Sequence, residues 1–325
     1  MICSHLANGS MAFPLVPRAL RYVEEVARQG SIQAASRELG IAASAIDRQI
    51  LILEEELGAP LFERQPTGMR PTPVGGLIIS LSQRWKTDAG NLAAAVRQMK
   101  GVDIGHVRLA AMDSHANGLL PSVISTLVSR HPRIALEVEI VSTDAAVTML
   151  MDDRVDLVAA FNVKPRREIH VLWSADLPLG CAVAPSHPLA ARASVRLKDV
   201  VSFPLASQSR SLAIRRYMDD RHAWMFSERD APIVTNSLQL MKKLAVSGSH
   251  VAITSELDTA PEILAGDLRF LPIIDDTARP QSIAVAISAR RPLLRTGQIV
   301  ADLLRDEVVG TLAEVRGRVN GGLRD

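Results

Sequence analysis

Three groups of residues in this chain of 325 have the types and spacing to do chemistry. Asp113, Ser114 and His115 carry the functional groups of a hydrolytic triad in one run. A triad is made by geometry and not by adjacency, and successive side chains at a strand end point apart, so the run supports no nucleophilic catalysis. A glycine-rich phosphate loop, a GxSxG elbow, HExxH and CxxC are all absent from the sequence, and the remaining histidines are scattered singly. The second group, Ala43, Ser44, Asp47 and Arg48, opens an apolar-periodic segment. An arginine near the start of an exposed helix can bond guanine O6 and N7 together, which discriminates by about 1–3 kcal/mol, or it can hold a phosphate and specify nothing. Both readings of Arg48 stay open. The third group consists of small polar residues placed just after apolar, strand-like runs. These are Asp113, Ser114 and His115, then Thr143, then Phe161 with Asn162, then Ser207 and Gln208, then Thr254. In open α/β sheets ligands sit beyond the carboxyl ends of the strands, so these positions converge if the strands do. Ordinary loop and cap chemistry favours the same residue types.

The elements that must position the second group are legible between Gly30 and Arg64. Ser31 is a helix N-cap, with Ile32, Ala35 and Leu39 at helical spacing, and Gly40 closes that helix. A second helix runs from about Ala43 to Leu57 with Ile46, Ile50, Leu53 and Leu57 on one face, and Ser44, Asp47, Arg48, Gln49 and Glu54 to Glu56 on the other. Two short helices joined by a glycine turn make a helix-turn-helix, whose second helix enters a DNA major groove, although an αα-hairpin in a bundle shares the periodicity. Leu61 and Phe62, a turn near Gly68, and Met69 to Thr72 read as a small β wing. A preceding helix starts at Pro17 with Leu20, Val23, Val26 and Ala27 inward.

The stretch resembles the LysR-type transcriptional regulators. Their ordered pattern is carried here by Gly30, Ser31, Ala34, Ala35, Leu39, Arg48, Gln49, Ile50, Leu53, Glu54, Leu57, Gly58, Leu61, Phe62, Arg64, Thr72, Pro73 and Gly75. The resemblance implies a winged helix-turn-helix DNA-binding domain over 15–72, with Ser31 and Thr72 as donors to backbone phosphate and Arg64 and Arg70 on a wing near the minor groove. It further implies a linker helix over 73–100 that forms a dimer, often within a tetramer. A two-lobed, periplasmic-binding-protein-like effector domain would follow over 105–310, its lobes formed by 105–178 with 281–310 and by 179–280. The function expected is sequence-specific regulation of transcription, modulated by a small-molecule co-inducer, without a cofactor or a metal. Ala42 and Ala43 stand where the family often has serine and glutamine, Asp47 stands for a common serine, and Pro71 for a leucine, so base-reading rules transfer poorly. His250 replaces the second glycine of a usual Gly-x-Gly turn.

Beyond Pro73, Ile78, Leu81, Trp85, Leu92, Ala95 and Met99 recur at steps of three and four when Asp88 is counted in the series, a heptad seam that calls for a second chain or for its own domain. Gly101 and Gly105 mark a hinge. From Val107 the texture is α/β, with strands at Val107–Met112, Ile134–Val141, Asp156–Phe161, Leu179–Ala184, Pro204–Ser207, Val251–Thr254 and Gln281–Ser288. Helices fall at about Ala145–Asp152, Ser211–Trp224, Ser237–Val246 and Leu293–Val309, and one carries Leu120 to Val128. Alternating strands and helices predict a parallel, doubly wound sheet.

Composition bounds the partners. Net charge is +2, and between residues 15 and 75 the arginines at 18, 21, 28, 37, 48, 64 and 70 face acids at 24, 25, 38, 47, 54, 55, 56 and 63. Bulk charge therefore does not attract nucleic acid, and any DNA contact comes from placed residues. Apolar content of 47% and charged content of 22% fit a globular chain. Cys3 and Cys181 make neither a disulfide framework nor a zinc spacing, and no apolar run reaches the roughly 18 residues of a membrane span, so a cytoplasmic protein is expected. The first ten residues lack the form of a signal peptide, and Met11 is an alternative start.

Overall fold

The computed structural model describes residues 16–65, 68–98, 104–210, 212–227 and 233–321. Met99, Gly101, Cys3 and Met11 lie outside the described residues. The chain divides into two compact units, 1–101 and 102–325.

In the first unit, α1 (Arg18–Gln29), α2 (Ile32–Leu39) and α3 (Ala43–Leu57) precede a hairpin of β1 (Phe62–Gln65) and β2 (Gly68–Pro71), then the long α4 (Pro73–Gln98). Gly30, Gly40 and Gly58 all adopt left-handed φ near +65°, which ends each helix at a sharp turn that favours glycine. Val23, Val26, Ala35, Ile46, Ile50, Leu61 and Phe62 form the core, onto which Val74, Ile78 and Ile79 of α4 pack. The start of α4 therefore completes the winged domain. Leu57, expected on the apolar face of α3, is 45% exposed, because the apolar stripe has rotated off the core by the helix's last turn. A Cβ on Gly75 would overlap the Leu61 carbonyl oxygen, so α4 can start this close to the wing only with glycine there.

The second unit holds two lobes. Strands β3 (Gly105–Ala111), β4 (Ile134–Ile140), β5 (Leu157–Phe161) and β6 (Ile169–Leu177) alternate with α5 (Asp113–Ala116), α6 (Leu119–Arg130) and α7 (Thr143–Met151). They form one sheet of order β4-β3-β5-β12-β6, where β12 is Gln281–Ser288. Strands β4, β3 and β5 are parallel, as predicted, but β12 runs antiparallel to β5 and β6. The all-parallel expectation is corrected on that side: β12 was expected but enters the sheet from the other lobe in the opposite direction, and β6 beside it went unrecognised in the sequence. The other lobe contains β7 (Leu179–Val183), α8 (Leu197–Val200), β8 (Ser207–Gln208), α9 (Ala213–His222), α10 (Trp224–Ser227) and β9 (Val234–Thr235). Its chain continues through α11 (Leu238–Val246), β10 (Ala252–Ser255), α12 (Ala260–Ala265) and β11 (Arg269–Pro272). Its sheet is the antiparallel triplet β10-β7-β11, flanked by a short parallel β8-β9 pair.

Two crossings, at Leu177–Leu179 and before Gln281, link the lobes. A third link is α13, which runs over Arg295–Gly321 and not to Val309 as predicted. Its Val300, Leu304 and Val308 sit in the core of the first lobe, while Val315 packs with Ala260, Ile263 and Phe270 of the second.

Candidate functional sites

The first unit presents an exposed face on α3. Arg48 and Ser44 are exposed, Ala43 and Asp47 half-buried, and Arg48 has no ion pair or hydrogen bond among the described residues. Asp47 is held by the wing, with Arg64 Nη2 3.0 Å from its Oδ1. That pair neutralises a carboxylate that would otherwise be repelled by phosphate, and it couples α3 to β1. A second tie was not foreseen. Glu54 Oε1 accepts the N–H groups of Leu61 (2.6 Å) and Phe62 (3.4 Å), so α3 sets the start of the wing. Met69 N–H donates to Gly30 O at 2.7 Å, which anchors the second wing strand on the α1–α2 turn and leaves Arg70 exposed.

Two of the expected phosphate donors fare differently. Ser31 is the N-cap of α2, its oxygen accepting Ala34 N–H at 3.4 Å, which leaves its own hydrogen to donate. Thr72 is corrected: it is 9% exposed, and its hydroxyl donates to Pro60 O (2.7 Å) and accepts from Gly75 N–H (3.0 Å). It caps α4 and has no hydrogen left for a phosphate.

In the second unit the candidate ligand residues divide between two cavities in the cleft that separates the lobes. Asp113, Ser114, Phe161, Gln208 and Thr254 line an inner cavity of about 40 Å³. Thr143 and Asn162 line a more open basin of about 640 Å³ with Lys164, Arg166, Arg221 and Arg279. A third space of about 370 Å³ shares Met112, Asp113, Leu212 and Asn236 with the inner cavity and is walled by Ile140 and Val141.

The inner cavity is polar at named atoms. Thr254 Oγ1 donates to Asp258 Oδ2 at 2.8 Å, Asp258 N–H donates to Ser255 Oγ at 3.2 Å, and Gln208 Nε2 donates to Ile253 O. Burial raises the pKa of Asp258, opposed by hydrogen bonds from Thr254, Ser255 and, across the lobes, Ser114. Asp113 Oδ2 accepts Leu238 N–H at 3.3 Å, so a carboxylate of the first lobe meets the N-terminus of α11 in the second. In the basin, Asp144 and Arg216 form a further bridge between the lobes at 2.9 Å. Asn162, at φ +53°, accepts Ser282 N–H through Oδ1 at 3.1 Å, tying β5 to β12.

His115 and Ser207 are corrected as lining residues. His115 is 1% exposed and packs tilted against Phe161 at 5.3 Å between ring centroids, and burial drives its pKa down to about 4. The imidazole belongs to the core, where its Nδ1 accepts Met112 N–H at 3.5 Å. Ser207 is 1% exposed and lines neither cavity. Asp258 and Gln281 were missed. Asp258 lies four residues beyond Thr254 in the turn after β10, and Gln281 opens β12, where no sequence pattern marks it as buried.

Among the described residues no His, Cys, Asp and Glu group is arranged to hold a metal, and no helix is long and apolar enough to cross a membrane. Cys181 is buried, which pushes its thiol pKa up to about 12.

Residues 17–76 match the family model of the bacterial regulatory helix-turn-helix protein, lysR family, and residues 100–309 match that of the LysR substrate binding domain. The chain is 29% identical over 230 residues to the RuBisCO operon transcriptional regulator of Allochromatium vinosum, covering 70% of this chain and 74% of that one. It is 26% identical over 310 residues to the HTH-type transcriptional regulator CbbR of Xanthobacter flavus, covering 94% and 91%. A full-length OxyR variant from Pseudomonas aeruginosa superposes with a TM-score of 0.66 at 20% identity, covering 88% of this chain and 93% of that one. Full-length CbnR complexed with its target DNA gives 0.62 at 19%, covering 89% and 99%. At such identities the two structures show a shared fold. With both of its parts matched in order, the chain belongs to the LysR family of DNA-binding transcriptional regulators and is not an enzyme.

Proposed function

We propose that the exposed face of α3, with Arg48 at its centre, reads the operator, and that a small molecule bound between the two lobes modulates that reading. The observation that carries the first half is an exposed Arg48, without an ion pair among the described residues, next to an Asp47 already neutralised by Arg64. The face is thus cationic where a groove would approach it, although the domain as a whole is not. Arg70 and the free hydrogen of Ser31 add contacts to the backbone, which position without specifying. CbnR, seen with its target DNA, shares the fold, and that supports a double-stranded DNA partner engaged through the same domain. The co-inducer sits against Asp113, Ser114, Gln208, Thr254 and Asp258. It acts through different affinities for the open and closed lobes, since a ligand that binds both equally shifts nothing.

Self-association follows from α4. Trp85 and Leu92 of the expected seam are exposed at 41 and 52% and lie seven residues apart, with Leu77 and Val96 of the same helix exposed at 70 and 47%, while Ile78 packs into the winged core. A second copy of the helix covers them, and the resulting two-fold dimer reads paired half-sites in the cytoplasm. Dimers of this kind then pair as a tetramer.

The test is enrichment of sheared genomic DNA on the purified protein and on Arg48→Ala, sequenced side by side. Paired half-sites enriched by the first and lost by the second support the reading. Identical enrichment by both removes Arg48 from base recognition. The enriched fragment then serves to screen a metabolite panel for compounds that alter its affinity, and no response from any compound overturns the sensor half.

A further inference from the structure

The inner cavity has a charge pattern that constrains what it takes. Its lining includes two carboxylates, Asp113 and Asp258, and no lysine, arginine or histidine. Asp113 already accepts Leu238 N–H, but Asp258 Oδ1, on a residue 7% exposed, is buried with no well-aligned donor among the described residues, Ser114 being the side chain nearest to supplying one. Gln281, 2% exposed, is fixed by its Oε1 accepting from Asn162 Nδ2 at 3.4 Å, and its own Nε2 is buried without a partner. Ser114 Oγ is buried beside Asp258, whose pKa it lowers as a hydrogen-bond donor, without a well-aligned partner among the described residues. Gln281 Nε2 from the first lobe, and the Ser114–Asp258 pair that joins the lobes, thus leave polar groups incompletely satisfied in one small cavity, an arrangement that native interiors avoid unless a ligand or water completes it. An anion would meet two carboxylates and no counter-charge. A neutral hydroxyl could complete the hydrogen bonds but would supply no charge to offset the cost of ionising Asp258, whose pKa burial raises.

We propose that this cavity binds the protonated amine of a small aliphatic ligand, which donates to Asp258 and lies beside Asp113. The inference rests on the cleft being the effector site and names the chemical class of the effector. At about 40 Å³ the cavity admits an ammonium group and little else. The adjoining space of about 370 Å³, which shares Met112, Asp113, Leu212 and Asn236 and carries Ile140 and Val141, takes the apolar remainder. The ligand would thereby touch both lobes, Asp113 and Ser114 from the first and Asp258 from the second, and favour the closed cleft.

The test uses the full chain and three probes of one tail and different heads: butylammonium, butanol and butyrate, at constant ionic strength. Binding is read as a saturable rise in Tm and by calorimetry. The expected result is that butylammonium binds at least tenfold more tightly than butanol, that butyrate does not bind, and that Asp258→Asn and Asp113→Asn each weaken the amine at least tenfold. Asp113→Asn keeps the proposal testable if Asp258→Asn disturbs the turn after β10. Butyrate binding as well as the amine overturns the proposal, as does amine binding indifferent to both substitutions, or no binding by any probe. A metabolite other than an amine that alters operator affinity would leave the sensor role of the cleft intact while overturning the amine. If no metabolite does so, the sensor role itself fails.

Discussion

At the residue scale the buried titratable groups give two checks on the second unit. His115 has its pKa lowered to about 4 by burial, so the folded state holds it neutral at pH 7. The unfolded chain, with an ordinary histidine near 6.5, takes up its proton first as pH falls. The stabilisation is therefore whole above pH 6.5 and is lost between 6.5 and 4, with about 2 kcal/mol gone at pH 5. Urea unfolding at pH 7 and pH 5 should show this loss and should show less of it in His115→Gln. Cys181, with its thiol pushed up to about 12 in the core, is a poor nucleophile. In a Cys3→Ser variant a disulfide reagent should titrate no thiol in the native protein and one after denaturation; a reactive native thiol would point to a redox switch instead. The departure at Asp47 has a physical account at this scale as well. A carboxylate there is repelled by phosphate, although it can accept from cytosine N4, and Arg64 Nη2 3.0 Å away offsets its charge. That partner lies 17 residues on, across the α3–wing turn, and no local pattern announces it.

At the scale of elements the helices with strong periodicity were legible and the composite ones were not. The helix-turn-helix, β4, α7 and β12 lie close to their predicted positions, because three-four and alternating apolar spacing specify them without tertiary help. Strand β6 escaped notice because Ile169–Leu177 alternates poorly and is pinned instead by eight residues of antiparallel pairing with β12, across a bulge at Val285/Ala286. Helix α13 was expected to end at about Val309, and Gly310 follows directly. Leu312 and Val315 nevertheless continue the buried stripe of Val300, Leu304 and Val308, and packing outweighs the roughly 1 kcal/mol a mid-helix glycine costs. The extension matters because Arg316 reaches Glu256, 5% exposed, and makes α13 a strap between lobes. Arg316→Ala leaves that carboxylate buried without its partner. Since the arginine is itself half exposed, a loss of about 2 kcal/mol is expected in chemical denaturation. A change below about 0.5 kcal/mol would mean the strap is held by Val315 alone.

At the scale of the whole molecule the DNA reading and the self-association stand together. A net charge of +2 gives no broad attraction for DNA, so affinity depends on two copies placing a few contacts each. Leu92→Asp puts a charge on the exposed seam of α4, where like charges of two copies would meet. The expected outcome is a chain of half the assembly's mass in light scattering, with the second unit still folded and paired half-site binding weakened at least tenfold. Unchanged mass would place the self-association elsewhere. The measurement that bears most directly on the account is the affinity of Arg48→Ala for an enriched operator and for the same fragment with its half-sites scrambled, over a range of salt. If Arg48 reads a base, the ratio of the two affinities falls by about tenfold or more while the scrambled affinity and the salt slope hardly move. If both affinities fall together and the salt slope drops by about one per half-site, Arg48 holds a phosphate and the reading face of α3 lies elsewhere.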